Sequence, residues 1–277
     1  MKAQRMNSKA LFSNLLSLLL ILLLSTGSYV SAFELKEHSA TYTAKIKKGV
    51  SIDGTAVRSL QKIDEHNWLY RFDVESFIAD IKESVRLRTS TPQLGDSEIN
   101  TEARPSRNQS QLKIQPLSYH YVLSAFLMPD RKREVSFNWE QKTANSGIKK
   151  DKWTLSNLPD NSYDPLSYQL QLLIDVHSGL KEMDYQLAKK GKLRESTFVV
   201  LGSEVIETRF GKLNSIIAKK QRDDDAKRET FLWFSADYPL LLLKMTQKES
   251  DGEEYEIQLE KASIEGKPVN LSNHALN

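Results

Sequence analysis

The chain has 277 residues, with 39 Lys+Arg against 36 Asp+Glu and no cysteine. So even a balance excludes a global field that would draw in nucleic acid or anionic lipid. The lack of thiols excludes disulfide staples, thiolate metal sites and a lipid-modified N-terminal cysteine.

Residues 1–32 read as a signal peptide. Lys2, Arg5 and Lys9 make a basic start, Leu15–Leu24 an apolar middle, and Val30-Ser31-Ala32 the small residues a signal peptidase reads, so Phe33 is expected to begin the mature chain. The competing reading is an uncleaved anchor. It suffers from length, because Leu15–Leu24 is short against the roughly 20 residues a bilayer core needs. Cleavage removes three cations and no acid, which leaves the mature charges balanced. Leu240–Leu243 is too short to span a membrane, so no transmembrane segment is expected in the mature protein. An exported chain without cysteine points to a Gram-negative periplasm, and the sequons at Asn108 and Asn270 are then chance matches.

From Tyr42 onward the chain reads as strand after strand. Tyr42, Ala44 and Ile46 alternate with polar residues before Gly49, and Trp68, Tyr70, Phe72 and Val74 do so next. Val135, Phe137 and Trp139 follow, then Met183, Tyr185 and Leu187 before Gly191. Period two puts one face in a core and the other in water. Near the C-terminus, Leu241, Leu243 and Met245 lead to Asp251-Gly252, and Tyr255, Ile257 and Leu259 lead away, a hairpin whose Gly tolerates positive φ. Pro239 is expected at the start of its strand, and another reversal at Asp223-Asp224-Asp225.

One segment breaks the pattern. Asp164 stands at an N-cap position, Pro165 at the first helical position, and Leu166, Leu170, Leu173 and His177 share a face that Leu172 and Val176 widen, until Gly179 stops the helix. The polar run Gln93–Gln111 reads as a loop. The expected fold is therefore all-β and mainly antiparallel: a single strongly curved sheet or half-barrel with one substantial helix (about 164–177) packed against it. It occupies 33–267, ahead of a flexible C-terminal tail at 268–277.

These landmarks together resemble the bacterial envelope family known as domain of unknown function 3108. They are the Tyr42…Gly49…Gly54 opening, Pro116…Tyr119 before Phe137-Asn138-Trp139, and the Asp164-Pro165-Leu166-Ser167-Tyr168 helix start. Gly202…Glu204, Thr208…Gly211 and Leu232-Trp233-Phe234…Pro239 complete the series, which covers nearly the whole mature chain. The resemblance implies an exported protein with a LolA/LolB-like half-barrel. It carries over no catalytic residues, since the family has no agreed activity. Gln93–Gln111 and the Lys/Asp-rich turn at Lys219–Arg228 depart from the pattern.

The chemistry is sparse. Gly49-Val50-Ser51-Ile52-Asp53-Gly54 misses the nucleophile-elbow spacing by one residue and lies in a hairpin turn. His38, His66, His120, His177 and His274 are scattered without metal-site spacing. Glu204 and Glu207 are three apart on a strand and so point to opposite faces. Asp223-Asp224-Asp225 lacks the ligand pattern of a calcium loop. Phosphate-cradling glycine motifs are absent, and no cofactor or metal is expected.

The aromatics remain. Phe137, Trp139, Trp153, Tyr168 and Trp233, with Tyr163 and Phe234, gather around the helix and its flanking strands, either as core or as the lining of a cavity for an apolar molecule. The leading expectation is a monomeric, non-enzymatic periplasmic factor that binds a lipid-like or hydrophobic ligand in the half-barrel. The alternative is an envelope interaction or structural module that meets a protein partner through sheet edges or the 93–111 loop. An enzyme stands third.

Overall fold

Alternation of period two carries the chain into strands from His38 onward. The computed structural model describes residues 33–48, 50–90, 112–148, 152–221 and 228–274. The expected signal peptide, the Gln93–Gln111 run, Gly49 and the Asp223–Asp225 turn lie outside the described residues. The first strands are β1 (His38–Lys48), β2 (Val50–Lys62), β3 (Asn67–Ser76), β4 (Ala79–Ser90), β5 (Lys113–Ala125) and β6 (Met128–Asn138). Short β7 (Thr143–Ser146), β8 (Trp153–Leu155) and β9 (Ser162–Tyr163) precede the helix α1 (Ser167–His177). After it come β10 (Glu182–Lys189), β11 (Lys192–Thr208), β12 (Gly211–Lys220), β13 (Glu229–Ser235), β14 (Leu242–Lys248), β15 (Glu254–Ile264) and the two-residue β16 (Lys267–Pro268).

These strands form one sheet, paired in the order β8-β7-β6-β5-β4-β3-β2-β1-β15-β14-β13-β12-β11-β10-β9, with β16 beside β15. Every pairing is antiparallel except β9 with β10. Because β1 pairs with both β2 and β15, the first and last long strands meet in the middle of the sheet. The end strands β8 and β9 therefore come from mid-chain and are not paired with each other. The mostly antiparallel sheet with one helix is as expected; as a hydrogen-bonded ladder it is open, not a closed barrel.

The expected alternation is present. Ala40, Tyr42 and Ala44 of β1, Trp68 and Tyr70 of β3, and Met183 and Tyr185 of β10 are buried. The C-terminal hairpin turns at Gly252, which has φ +87°. Pro239 lies in the turn before β14, not at the start of that strand, since pairing with β13 begins only at Leu242.

The helix departs from expectation in how completely it is covered. A single apolar face predicts one-sided packing, yet Leu170, Gln171, Leu172, Leu173, Ile174, Asp175 and Val176 are all buried. Such burial is tolerable only if the polar members are satisfied. Gln171 accepts at Oε1 from the Ile114 N–H of β5 (2.9 Å) and donates from Nε2 to the Leu112 carbonyl (3.1 Å) and to Asp175 Oδ1 (2.7 Å). The Tyr185 hydroxyl of β10 donates to Asp175 Oδ2 at 2.8 Å. At the C-terminal end both ring nitrogens of His177 face carbonyl oxygens, Leu173 O at 2.8 Å and Ser235 O at 3.0 Å, so the ring fastens the helix to the end of β13. Gly179, at φ +86°, then closes a left-handed cap in which Leu180 N–H donates to the Asp175 carbonyl.

The N-terminal end is held by Asp164. Its Oδ1 accepts from the Leu166 and Ser167 N–H groups (2.8 and 2.9 Å), while the Ser167 hydroxyl donates to Oδ2 (2.6 Å) and accepts from the Asp164 N–H (3.1 Å). Asp164 thus organises the turn that enters the helix; the helix itself starts at Ser167 with Leu166 at the N-cap position, two residues later than expected, so Pro165 precedes it instead of opening it. Asp164→Ala would strip the acceptor from two buried N–H groups. The expected loss is about 2 kcal/mol or more in urea-unfolding free energy, against little change for a surface substitution such as Asp160→Ala.

Candidate functional site: a charged row on the sheet

Residues paired across an antiparallel sheet share a face, so the registers assemble rows that no linear reading displays. One row, Leu60–Tyr70–Val85–Tyr119–Val135 across β2 to β6, is wholly buried. Two residues further along, on the same face, the row is Arg58–Phe72–Glu83–Tyr121–Arg133. The next is Ala56–Val74–Ile81–Leu123, of which the last three are only half-buried. The face therefore grades from closed core, through a row where charges alternate with aromatic rings, to an apolar shelf.

Arg58 is 6% exposed. Its Nη1 donates to the Tyr70 hydroxyl (3.1 Å), its Nη2 to Gln169 Oε1 of α1 (2.5 Å), and its guanidinium lies 4.6 Å from the Phe72 ring centroid. At the other end Arg133 stacks 4.9 Å over Tyr121. Between them Glu83 Oε2 accepts from the Tyr119 hydroxyl at 3.0 Å. Burial pushes the Glu83 carboxyl up to about 7. The Tyr119 hydrogen bond works against that shift, the Asp164 carboxylate adds to it, and Arg58 and Arg133 oppose it. Burial likewise raises Asp164 and Asp175, both already engaged as structural acceptors.

The five expected cavity-lining aromatics do not converge. Phe137 and Trp139 stack on each other (5.9 Å, 7° between planes), and Trp139 Nε1 donates to the Pro116 carbonyl. Tyr168 packs on Phe198 and Tyr185 at the helix. Trp153 sits against the β10–β11 turn, where a Cβ placed on Gly191 would lie 3.0 Å from Trp153 Cβ. Trp233 is on the opposite face. Thr230, Leu232 and Phe234 are its buried neighbours in β13, so alternation turns Trp233 outward, where Nε1 donates to Glu204 Oε2 (3.0 Å) and Lys244 lies 5.5 Å from the ring centroid. The expected reading placed Trp233 and Phe234 together, which a strand forbids.

Open surface depressions of about 270 Å³ lie beside Lys45, Phe231 and Tyr255 and of about 390 Å³ beside Glu34, Trp68 and Glu265. None of the five rings lines either. Among the described residues no group of three or more His, Asp or Glu is placed to hold a metal ion, and no helix is long and apolar enough to cross a membrane.

Arg58 and Glu83 escaped sequence reading, yet a signal was present. Arg58 stands in phase with Ala56 and Leu60, and Glu83 in phase with Ile81, Val85 and Leu87. A charge on the buried phase of an apolar alternation is what marks both.

Residues 114–260 match the family described as "Protein of unknown function (DUF3108)". The Tyr42 and Gly54 landmarks fall outside that span. No curated protein matches the chain. Among solved structures, a beta-barrel-like protein of domain of unknown function DUF1849 from Brucella abortus is 10% identical and matches at TM-score 0.51, over 84% of this chain and 99% of its own. A DUF1329 family protein from Desulfovibrio piger is 11% identical at TM-score 0.29, over 83% of this chain and 86% of its own. The first likeness is one of fold; the second is too weak to bear on it.

Glu83 gives a pH signature. Its unfolded carboxyl ionises near 4.5 and its folded one near 7. The native state therefore binds the extra proton in that window, and stability falls as pH rises through it. Glu83→Gln keeps the shape and removes the titration. The variant should match wild type near pH 4 and exceed it by up to about 3 kcal/mol at pH 8, measured as the difference in urea-unfolding free energy.

Proposed function

We propose a carrier role for this chain, which belongs to the DUF3108 family of proteins of unknown function: a non-enzymatic periplasmic factor that holds a lipid-like molecule against the inner face of a bent sheet. The observation that carries this reading is the half-buried apolar shelf of Val74, Ile81 and Leu123, joined to the closed core through Val74 and the neighbouring rings of Phe72 and Tyr121 yet left partly open to solvent. A ligand with an apolar surface would complete the burial that the helix provides at the other end.

Three features support a bent, half-barrel sheet. The chain passes from end strand β8 to end strand β9 through residues 156–161. So short a link reaches about 25 Å, whereas the end strands of a flat sheet of this many strands would stand about 65 Å apart. Trp153 of β8 meets the β10–β11 turn at Gly191. Arg133 of β6 also lies near enough to Lys189 of β10 to help burial depress that ammonium. The Brucella protein of similar fold carries the description beta-barrel-like, in keeping with this.

A second reading has its own observation. Phe77, Phe126 and Leu127 are 82%, 77% and 88% exposed at the β3–β4 and β5–β6 tips, and Phe126 N–H donates to the Ile78 carbonyl, so the two tips form one apolar patch. Patches of this kind mark contact with a partner. Phe126→Ser with Leu127→Ser would abolish a crosslinked envelope partner without touching the shelf.

The carrier reading is tested with N-phenyl-1-naphthylamine, a neutral probe that fluoresces in apolar surroundings. Wild type should bind it, Ile81→Asp and Leu123→Asp should each weaken binding about tenfold or more, and Trp233→Ala should leave it unchanged. Absence of any probe binding by wild type overturns the reading. N-terminal sequencing of the exported protein should begin at Phe33.

A further inference from the structure

We propose that Arg58 is an anion-binding centre, and that the carried molecule is an amphiphile with one anionic head group, a carboxylate, phosphate or sulfonate, and an apolar tail. This deepens the carrier reading and rests on it.

A buried guanidinium ordinarily has a carboxylate against it, because an uncompensated charge out of water is strongly disfavoured. Arg58 has none. Its hydrogen-bond partners are a phenol and an amide oxygen, its stacking partner is a phenyl ring, and its Nε is buried with no partner at all. Among the described residues no Asp or Glu oxygen lies within 4.0 Å of it. The acid on its own row, Glu83, is two strands away, a separation of about 9.5 Å with Phe72 between them. That carboxyl is moreover occupied by Tyr119.

The surroundings repeat the bias. Arg133 ends the same row, again over a ring, with no ion pair to an acid among the described residues. Two guanidiniums thus flank one half-buried carboxyl, in a chain whose whole composition is nearly balanced. A head group on Arg58 would meet donors held in place by Tyr70, Gln169 and Phe72, in a setting where a charge-assisted hydrogen bond is strong. The tail then has a defined place. One step along the strands, about 7 Å away, lies the apolar row Val74–Ile81–Leu123. Head and tail sites are thus adjacent on one face, with the head beside the helix and the tail directed toward the hairpin tips.

The test compares three probes by displacement of N-phenyl-1-naphthylamine: 1-decanesulfonate, which keeps its charge at every working pH; 1-decanol, the same chain without the charge; and inorganic sulfate, the charge without the chain. Wild type should prefer decanesulfonate to decanol by about tenfold or more, and millimolar sulfate alone should displace nothing. Arg58→Gln should bring the two amphiphiles within about twofold of each other by weakening decanesulfonate only. Arg58→Lys should keep part of the preference, which separates charge from fork geometry. Equal binding of the two amphiphiles by wild type, or a preference that survives in Arg58→Gln, overturns the anion centre while leaving the carrier reading intact. Failure of both to bind overturns the carrier reading itself. Displacement by sulfate alone overturns the amphiphile assignment in favour of a free anion. If Arg58→Gln does not fold by circular dichroism, the wild-type ratio and Arg58→Lys decide the matter.

Discussion

Enclosing a helix on nearly every side obliges each of its polar groups to find a partner on the strands, and this constraint arranges the rest of the molecule. Gln171 joins α1 to the start of β5, Asp175 to β10, His177 to the end of β13, and Asp164 closes the first turn. Those anchor strands are far apart in the sheet order and far apart in the chain. The helix is thus less a layer packed on a sheet than a common fastening point for its two halves. Losing any one anchor leaves a buried donor or acceptor unpaired, which costs more than the bond itself contributes.

The clasp of β1 between β2 and β15 has a complementary effect. It places both long terminal strands in the middle of the sheet, where each has a strand on both sides, and leaves β8 and β9 as the ends. Both are very short, so among the described residues most of β6 and β10 has no strand on that side: β7 pairs only Ser136–Asn138 of β6, and β9 only Gln186 and Leu187 of β10. At the β3–β4 and β5–β6 tips large apolar side chains stand in water.

Strand positions, the helix, its Gly179 stop and the Gly252 turn were legible in the sequence, because each follows from local periodicity or from a single residue's backbone preference, while the helix start fell two residues beyond the expected Asp164-Pro165. What lay beyond reach was tertiary. The phase of Trp233 depends on which side of β13 meets the helix, and Phe234 beside it is equally aromatic, so pattern alone does not choose between them. Nor does the apolar stripe of α1 reveal that its polar side will also be buried, since Gln171 and Asp175 look solvent-facing until β5 and β10 supply their partners. The row from Arg58 to Arg133 draws on five strands, and only the registers bring it together.

That row also separates packing from purpose. With Ala56 and Leu60 as its in-phase neighbours on β2, position 58 would be served for stability by a methionine or leucine, since an apolar residue of similar volume often does as well as a buried ion pair or better. Here there is no pair to lose, only an isolated cation propped by a phenol, an amide and a ring. Glu83 is held off by Phe72 and kept partly protonated by its own burial, so the sheet does not neutralise Arg58 from within. A geometry that interposes rings between opposite charges on one row leaves both guanidiniums, among the described residues, without a carboxylate against them, and a missing counter-charge has no value to a core. It has value where a charge of opposite sign arrives from outside, beside an apolar shelf that the protein itself leaves incompletely covered.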